Sequence, residues 1–187
     1  MLTPAEFPER WKKVSGATIL KYSLSSPLAD GLSPSTAAAL KEYGLPNVAG
    51  SWLEFGEDDY IEPIVSALEE RNLYPIGRVG FSGFICVDKI TDKIVKFDIN
   101  DQDEPEIFNS SLNALYESLL IFESFVAEVN SRNPDYRRNY KIPEGMLREL
   151  AEKLTDCDPE AMREKGYWHC QICSLDDSAS SFFSDIL

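Results

Sequence analysis

The chain has 187 residues, 43% of them apolar, enough for a proper core without disulfide or metal support. Its 18 lysines and arginines stand against 32 aspartates and glutamates, a formal net charge of −14. That balance disfavours direct nucleic-acid binding, because a phosphate backbone is repelled, and it favours encounter with a basic protein.

MLTPAEFPERWKK lacks the apolar centre of a secretory signal, and no stretch reaches the roughly 18 apolar residues of a membrane span. The expected location is the cytoplasm. SPSTAAALKEYG reads as a short helix, with Ser33 as N-cap, Pro34 at the first helical position and Gly44 as the stop. SWLEF, Ser51 to Phe55, is a strand, and EDDYIEP follows it as an acidic turn.

NLYPIGRVGFSGFICVDKITDKIVKFDIN predicts two or three antiparallel strands, punctuated by Gly77, Gly80 and Gly83 and turning at Thr91 and Asp92. Glycines inside strands mark bulges or close backbone approach, and IGRVGFSG only weakly imitates a phosphate-binding loop. From Asn109 to about Asn130, Leu112, Leu115, Tyr116, Leu119, Phe122, Val126 and Val129 recur at helical spacing. Asn109, Ser110 and Ser111 are the capping candidates, and Leu120, Ile121 and Phe125 widen the apolar band toward a second element or a partner.

SRNPDYRRNY is a polar linker, and a further helix runs from Pro143 with Met146, Leu147, Leu150 and Leu154 on one face. Asp158 and Pro159 cap another turn, YWHCQICSL fits a short helix or a strand, and SASSFFSDIL reads as a loosely held tail. The expected organisation is one domain over residues 1–187, with the loose tail at 176–187.

His169 is the only histidine, and no serine or cysteine sits in a nucleophile turn, so Ser-His or Cys-His catalysis is not expected. Cys157, His169, Cys170 and Cys173 offer zinc chemistry, but without the spacing of a finger or ribbon. DINDQDEPE has the acidity of a calcium loop without its glycine and closing glutamate. An enzymatic reading would rest on Asp98, Asp101, Asp103 or the His169 cluster. The expectation is no catalytic residue, no cofactor and no metal.

Two readings of the carboxylates remain. They are a solvated loop near the positive end of the long helix, or they form an acidic face that binds arginines and lysines. That face comprises Glu54, Glu57, Asp58, Asp59, Glu62, Asp101, Asp103, Glu104 and Glu106, with Tyr60 beside them. Trp52, Tyr60 and Tyr74 suit aromatic anchors at an interface and equally suit a core.

SGFICVDKITDKIVKFD followed by FNSSLNALYESLLIFESF resembles the SUKH superfamily of bacterial immunity proteins, with the Smi/Knr-like fold, and within it the fourth subgroup. Ile85 to Asp88 match its first hairpin strand, Thr91 and Asp92 its turn, Val95 its second strand, and Asn109 to Leu112 its helix entry. Asp92 stands where the family has glycine, a departure that a type I turn accepts. Gly44 to Pro46, the strand around Phe55, and Asp158, Pro159 and Trp168 also look like that pattern, and the family requires no cysteines there.

The resemblance implies an α+β fold, a curved, mainly antiparallel sheet packed against helices. It also implies an antitoxin role: binding and neutralising a cognate polymorphic toxin, often a nuclease or nucleic-acid deaminase domain, and the net charge of −14 suits a toxin with a basic surface. A cytosolic regulatory or scaffold protein of the same fold, without a toxin partner, is the alternative.

Overall fold

The computed structural model describes residues 2–50, 52–57, 62–80, 83–100, 105–135, 141–164 and 166–175, the side chains of Glu62 and Pro63 excepted. Its centre is a six-stranded antiparallel sheet in simple up-and-down order. The strands are β3 (Val48–Ala49), β4 (Leu53–Phe55), β5 (Leu73–Val79), β6 (Gly83–Asp88), β7 (Ile94–Asp98) and β8 (Glu106–Asn109). A two-stranded pair, β1 (Ile19–Leu20) and β2 (Leu45–Pro46), precedes it. Asn47 joins the two sheets, its N–H donating to the Thr18 carbonyl at 2.7 Å while its carbonyl accepts from Phe55 N–H at 3.0 Å.

The helices are α1 (Phe7–Val14), α2 (Pro34–Glu42), α3 (Glu62–Glu70), α4 (Leu112–Arg132), α5 (Met146–Cys157) and α6 (Tyr167–Leu175). Helices and antiparallel sheet together make the α+β architecture that the resemblance implies. Ser33 caps α2 as expected, its Oγ accepting from Thr36 N–H at 3.2 Å. YWHCQICSL resolves to a helix, α6.

Three elements go beyond the sequence reading. Phe7 and Trp11, one helical turn apart on α1, are both fully buried, with Phe7 4.4 Å from Tyr116 of α4. EDDYIEP does not remain a turn throughout, because α3 begins at Glu62 and places Leu68 in the core. EIFN forms β8, pairing Ile94 with Asn109 and Lys96 with Glu106. The run after Asp98 therefore does not lead straight into α4, and Asn109 closes a strand while Ser111 caps the helix, accepting from Ala114 N–H at 3.2 Å.

The hairpin Gly83–Asp98 is as read, with Cys86 opposite Val95 and Val87 opposite Ile94. Its turn is not a plain type I turn, since Asp92 sits in the left-handed region at φ 59°, where glycine is at ease and aspartate tolerable. The aspartate also contributes what glycine cannot. Its carboxylate accepts from Ser33 Oγ at 3.0 Å and Thr36 Oγ1 at 2.9 Å, tying the hairpin turn to the positive end of α2. Gly77 lies at a bulge between β5 and β6, where an added Cβ would meet the Glu54 carbonyl oxygen at 2.4 Å.

The stripe of α4 lies in the same hydrophobic core as β4 to β8, with Leu115, Tyr116, Leu119 and Val129 buried. Burial of each such large side chain contributes about 1.5–3 kcal/mol, an upper figure because an unfolded chain already hides some surface. α4 packs against α1, α5 and β8.

Candidate functional site

The acidic residues part ways in the structure. Glu54 is exposed on β4 and Glu106 is exposed on β8, paired with Lys96 at 3.2 Å. Glu57 is occupied by its own chain: its carboxylate accepts from Ser23 N–H at 2.7 Å, Leu24 N–H at 2.9 Å and the Tyr74 hydroxyl at 3.0 Å. Glu62 starts α3. Asp58, Asp59, Tyr60, Asp101, Asp103 and Glu104 lie outside the described residues. Tyr74 is a core residue, 2% exposed, whereas Trp52 is 62% exposed.

Partial desolvation opposes ionisation of Glu57, but the Ser23 and Leu24 amides, with the Ser23 and Tyr74 hydroxyls, outweigh it and hold the acid below its ordinary 4.5. A carboxylate more acidic in the folded state stabilises the fold above its unfolded pKa, and that contribution disappears as pH falls through the folded pKa. The wild-type protein is therefore expected to lose stability as pH drops below about 4.5, and Glu57→Gln to show a shallower loss there. Urea midpoints from pH 6 to pH 3 measure it; parallel curves for the two proteins would refute the assignment.

The most specific sequence pattern becomes a buried polar hub. Asn109 donates through Nδ2 to Ser118 Oγ at 3.1 Å and to Asp158 Oδ2 at 2.9 Å, and its Oδ1 accepts from Trp168 Nε1 at 3.1 Å. Asp158 accepts from Ser110 N–H at 2.7 Å and from Ala161 N–H at 3.4 Å. Asn109, Ser118, Asp158 and Trp168 are all buried. The hub joins β8, α4, the end of α5 and α6, so these residues fix the scaffold rather than meet a substrate.

No thiol here is set up as a nucleophile, which needs a lowered pKa. Burial raises Cys86, and it pushes Cys157 up to about 11 against the Ser118 hydrogen bond. Desolvation also raises Cys170 and Cys173. Cys157 Sγ instead lies 3.8 Å from Ser118 Oγ and 3.8 Å from the Ala114 carbonyl oxygen, at the edge of the hub. Among the described residues, no three histidine, cysteine, aspartate or glutamate side chains gather as a metal site.

Two grooves open on the surface around α4. One, about 310 Å³, runs between α1, α4 and α5, with Arg10, Lys153, Glu117 and Glu128 on its walls. The other, about 650 Å³, lies between the β3–β4 turn, α4 and α6, lined by Trp52, Phe122, Phe125, Val126, Tyr167 and Leu175 among others. Its turn is fixed on both sides: Gly50 N–H donates to Glu123 Oε1 at 2.7 Å, and the Trp52 carbonyl accepts from Gly80 N–H at 3.3 Å. The sequence reading found Trp52 as an aromatic and left open which way it faced.

The hub of Asn109, Asp158 and Trp168 pins the antiparallel sheet to its helices, and Glu54 and Glu106 are exposed on its strands. Residues 28–173 match the family model of the SUKH-4 immunity protein. The chain belongs to the SUKH-4 immunity protein family, and membership implies an immunity function against a toxin. No curated protein and no solved structure matches it. Among the described residues, no helix is long and apolar enough to cross a membrane.

Proposed function

We propose that the protein is a cytoplasmic antitoxin that neutralises its cognate toxin by stoichiometric binding rather than by catalysis, and that the toxin is a basic nuclease or nucleic-acid deaminase domain. The observation that carries this reading is the net charge of −14 on a family scaffold whose specific motif is spent on internal bonds. Nucleic-acid enzymes carry basic clefts for phosphate, and a carboxylate-rich surface is drawn to them. The contact face proposed from the acidic segments comprises Glu54, Glu57, Asp58, Asp59, Tyr60 and Glu62, with Asp101, Asp103, Glu104 and Glu106. Glu54 and Glu106 support it by their exposure, while Glu57 enters it already committed to the Ser23–Leu24 backbone.

Co-expression with C-terminal toxin domains encoded beside the gene tests the proposal. A one-to-one complex is expected, with affinity falling at least about tenfold between 0.05 and 0.5 M NaCl as the charges are screened. Absence of binding at low salt, or recovery of housekeeping proteins alone, would refute it.

A further inference from the structure

The groove between the β3–β4 turn, α4 and α6 has no role in the hub, and its character differs from that of the groove beside α1. Among its described lining residues are one carboxylate, Glu123, and the amides of Asn130 and Gln171, with no lysine or arginine. The groove beside α1 carries Arg10 and Lys153 as well as carboxylates, so it presents no single sign to a partner.

Of the acidic face, Glu106 lies toward the α6 side of this groove and Glu54 does not. Glu54 lies opposite Arg78 on the face of β4 away from Leu53 and Ala49, which line the groove. Glu106, on β8, lies close enough to α6 to raise the Cys170 thiol, after desolvation and against Lys96. Phe108, two residues on from Glu106, stacks on Tyr167 of the groove wall at 4.1 Å. The α6 wall of the groove thus lies near one member of the acidic face, Glu106, which is itself paired with Lys96.

Trp52 completes the picture. Its backbone is held through Gly80, and its turn through Glu123, yet the residue is 62% exposed and lines the groove with Phe122 and Val126. A large apolar side chain on a fixed turn loses little freedom on binding, and such residues dominate interface energetics.

We propose that this groove receives an apolar side chain, aromatic or branched aliphatic, projecting from a lysine- and arginine-rich surface of the toxin. The assignment rests on the immunity reading above. Trp52, Phe122 and Tyr167 take the anchor, while Glu123, in a chain of net charge −14, meets its cationic surroundings.

The test is titration of the toxin domain encoded beside the gene against purified wild type and three variants. Trp52→Ala removes the exposed wall, Gln171→Lys puts a cation into the groove, and Ile90→Ser removes another exposed apolar residue, 75% accessible and outside the groove. Trp52→Ala and Gln171→Lys are expected to weaken binding roughly 10- to 100-fold, and Ile90→Ser to leave it unchanged. If wild type binds and all three variants bind equally, the groove proposal is overturned and the immunity reading stands. If wild type binds no toxin domain, both fall. Sedimentation of the free protein and a truncation after Leu175 identify other occupants: a dimer dissolved by Trp52→Ala, or Trp52 fluorescence altered by truncation with toxin affinity indifferent to Trp52, would each overturn it.

Discussion

Asp158→Ala is expected to destabilise the fold by about 3–5 kcal/mol, because it strands several buried donors at once. Asn109 Nδ2 and the Ser110 amide both lose the same oxygen, at 2.9 and 2.7 Å, and the Ala161 amide loses the other, at 3.4 Å. Ser118 Oγ still receives Asn109, so the hub is opened rather than erased. Asp158→Asn keeps one acceptor oxygen but points an amide at donors, and about half the loss is expected. Urea unfolding followed by tryptophan fluorescence measures both, with Trp168 itself hydrogen-bonded to the hub. A loss under about 1 kcal/mol for the alanine variant would show that the hub is not what fastens β8 to the C-terminal helices.

Gly44→Ala is expected to cost about 3 kcal/mol or more, from two separate causes. The backbone there is left-handed, φ 69°, a conformation that costs an alanine about 1–2 kcal/mol. In addition, the new Cβ would lie 2.0 Å from the Leu20 carbonyl oxygen, a backbone atom of β1 that cannot swing aside. Gly145 separates the causes, being left-handed at φ 80° with nothing within 4 Å of an added Cβ. Gly145→Ala is expected to cost only the conformational part. Equal losses at the two sites would remove the steric account, and with it the reason β1 and α2 sit so close.

How much of this was legible depended on how much signal each element concentrates. α4 is 21 residues long and repeats its apolar spacing throughout, so periodicity alone located it. α1 offers only Phe7 and Trp11 as buried positions, one pair at helical spacing, too little for a pattern to rise above chance. β8 has four residues, and only Phe108 and Asn109 are buried, so neither alternation nor length marks it. Asn109 looked like a helix cap because asparagine before an apolar stripe has that meaning locally. Its actual partners, Asp158 and Trp168, are 49 and 59 residues away, a distance that no local rule spans. The groove was hidden for the same reason, since Trp52, Phe122 and Tyr167 belong to separate segments that only the fold assembles.

Those long separations also govern how the chain can mature. The sheet is a meander whose neighbours along the chain are neighbours in space, so its pairings can close as the polypeptide emerges. The knot at Asn109 cannot, for its last donor arrives only with Trp168. A ribosome stalled anywhere before that tryptophan would carry a greasy α4 without its lock, so the scaffold closes only once residue 168 has been made.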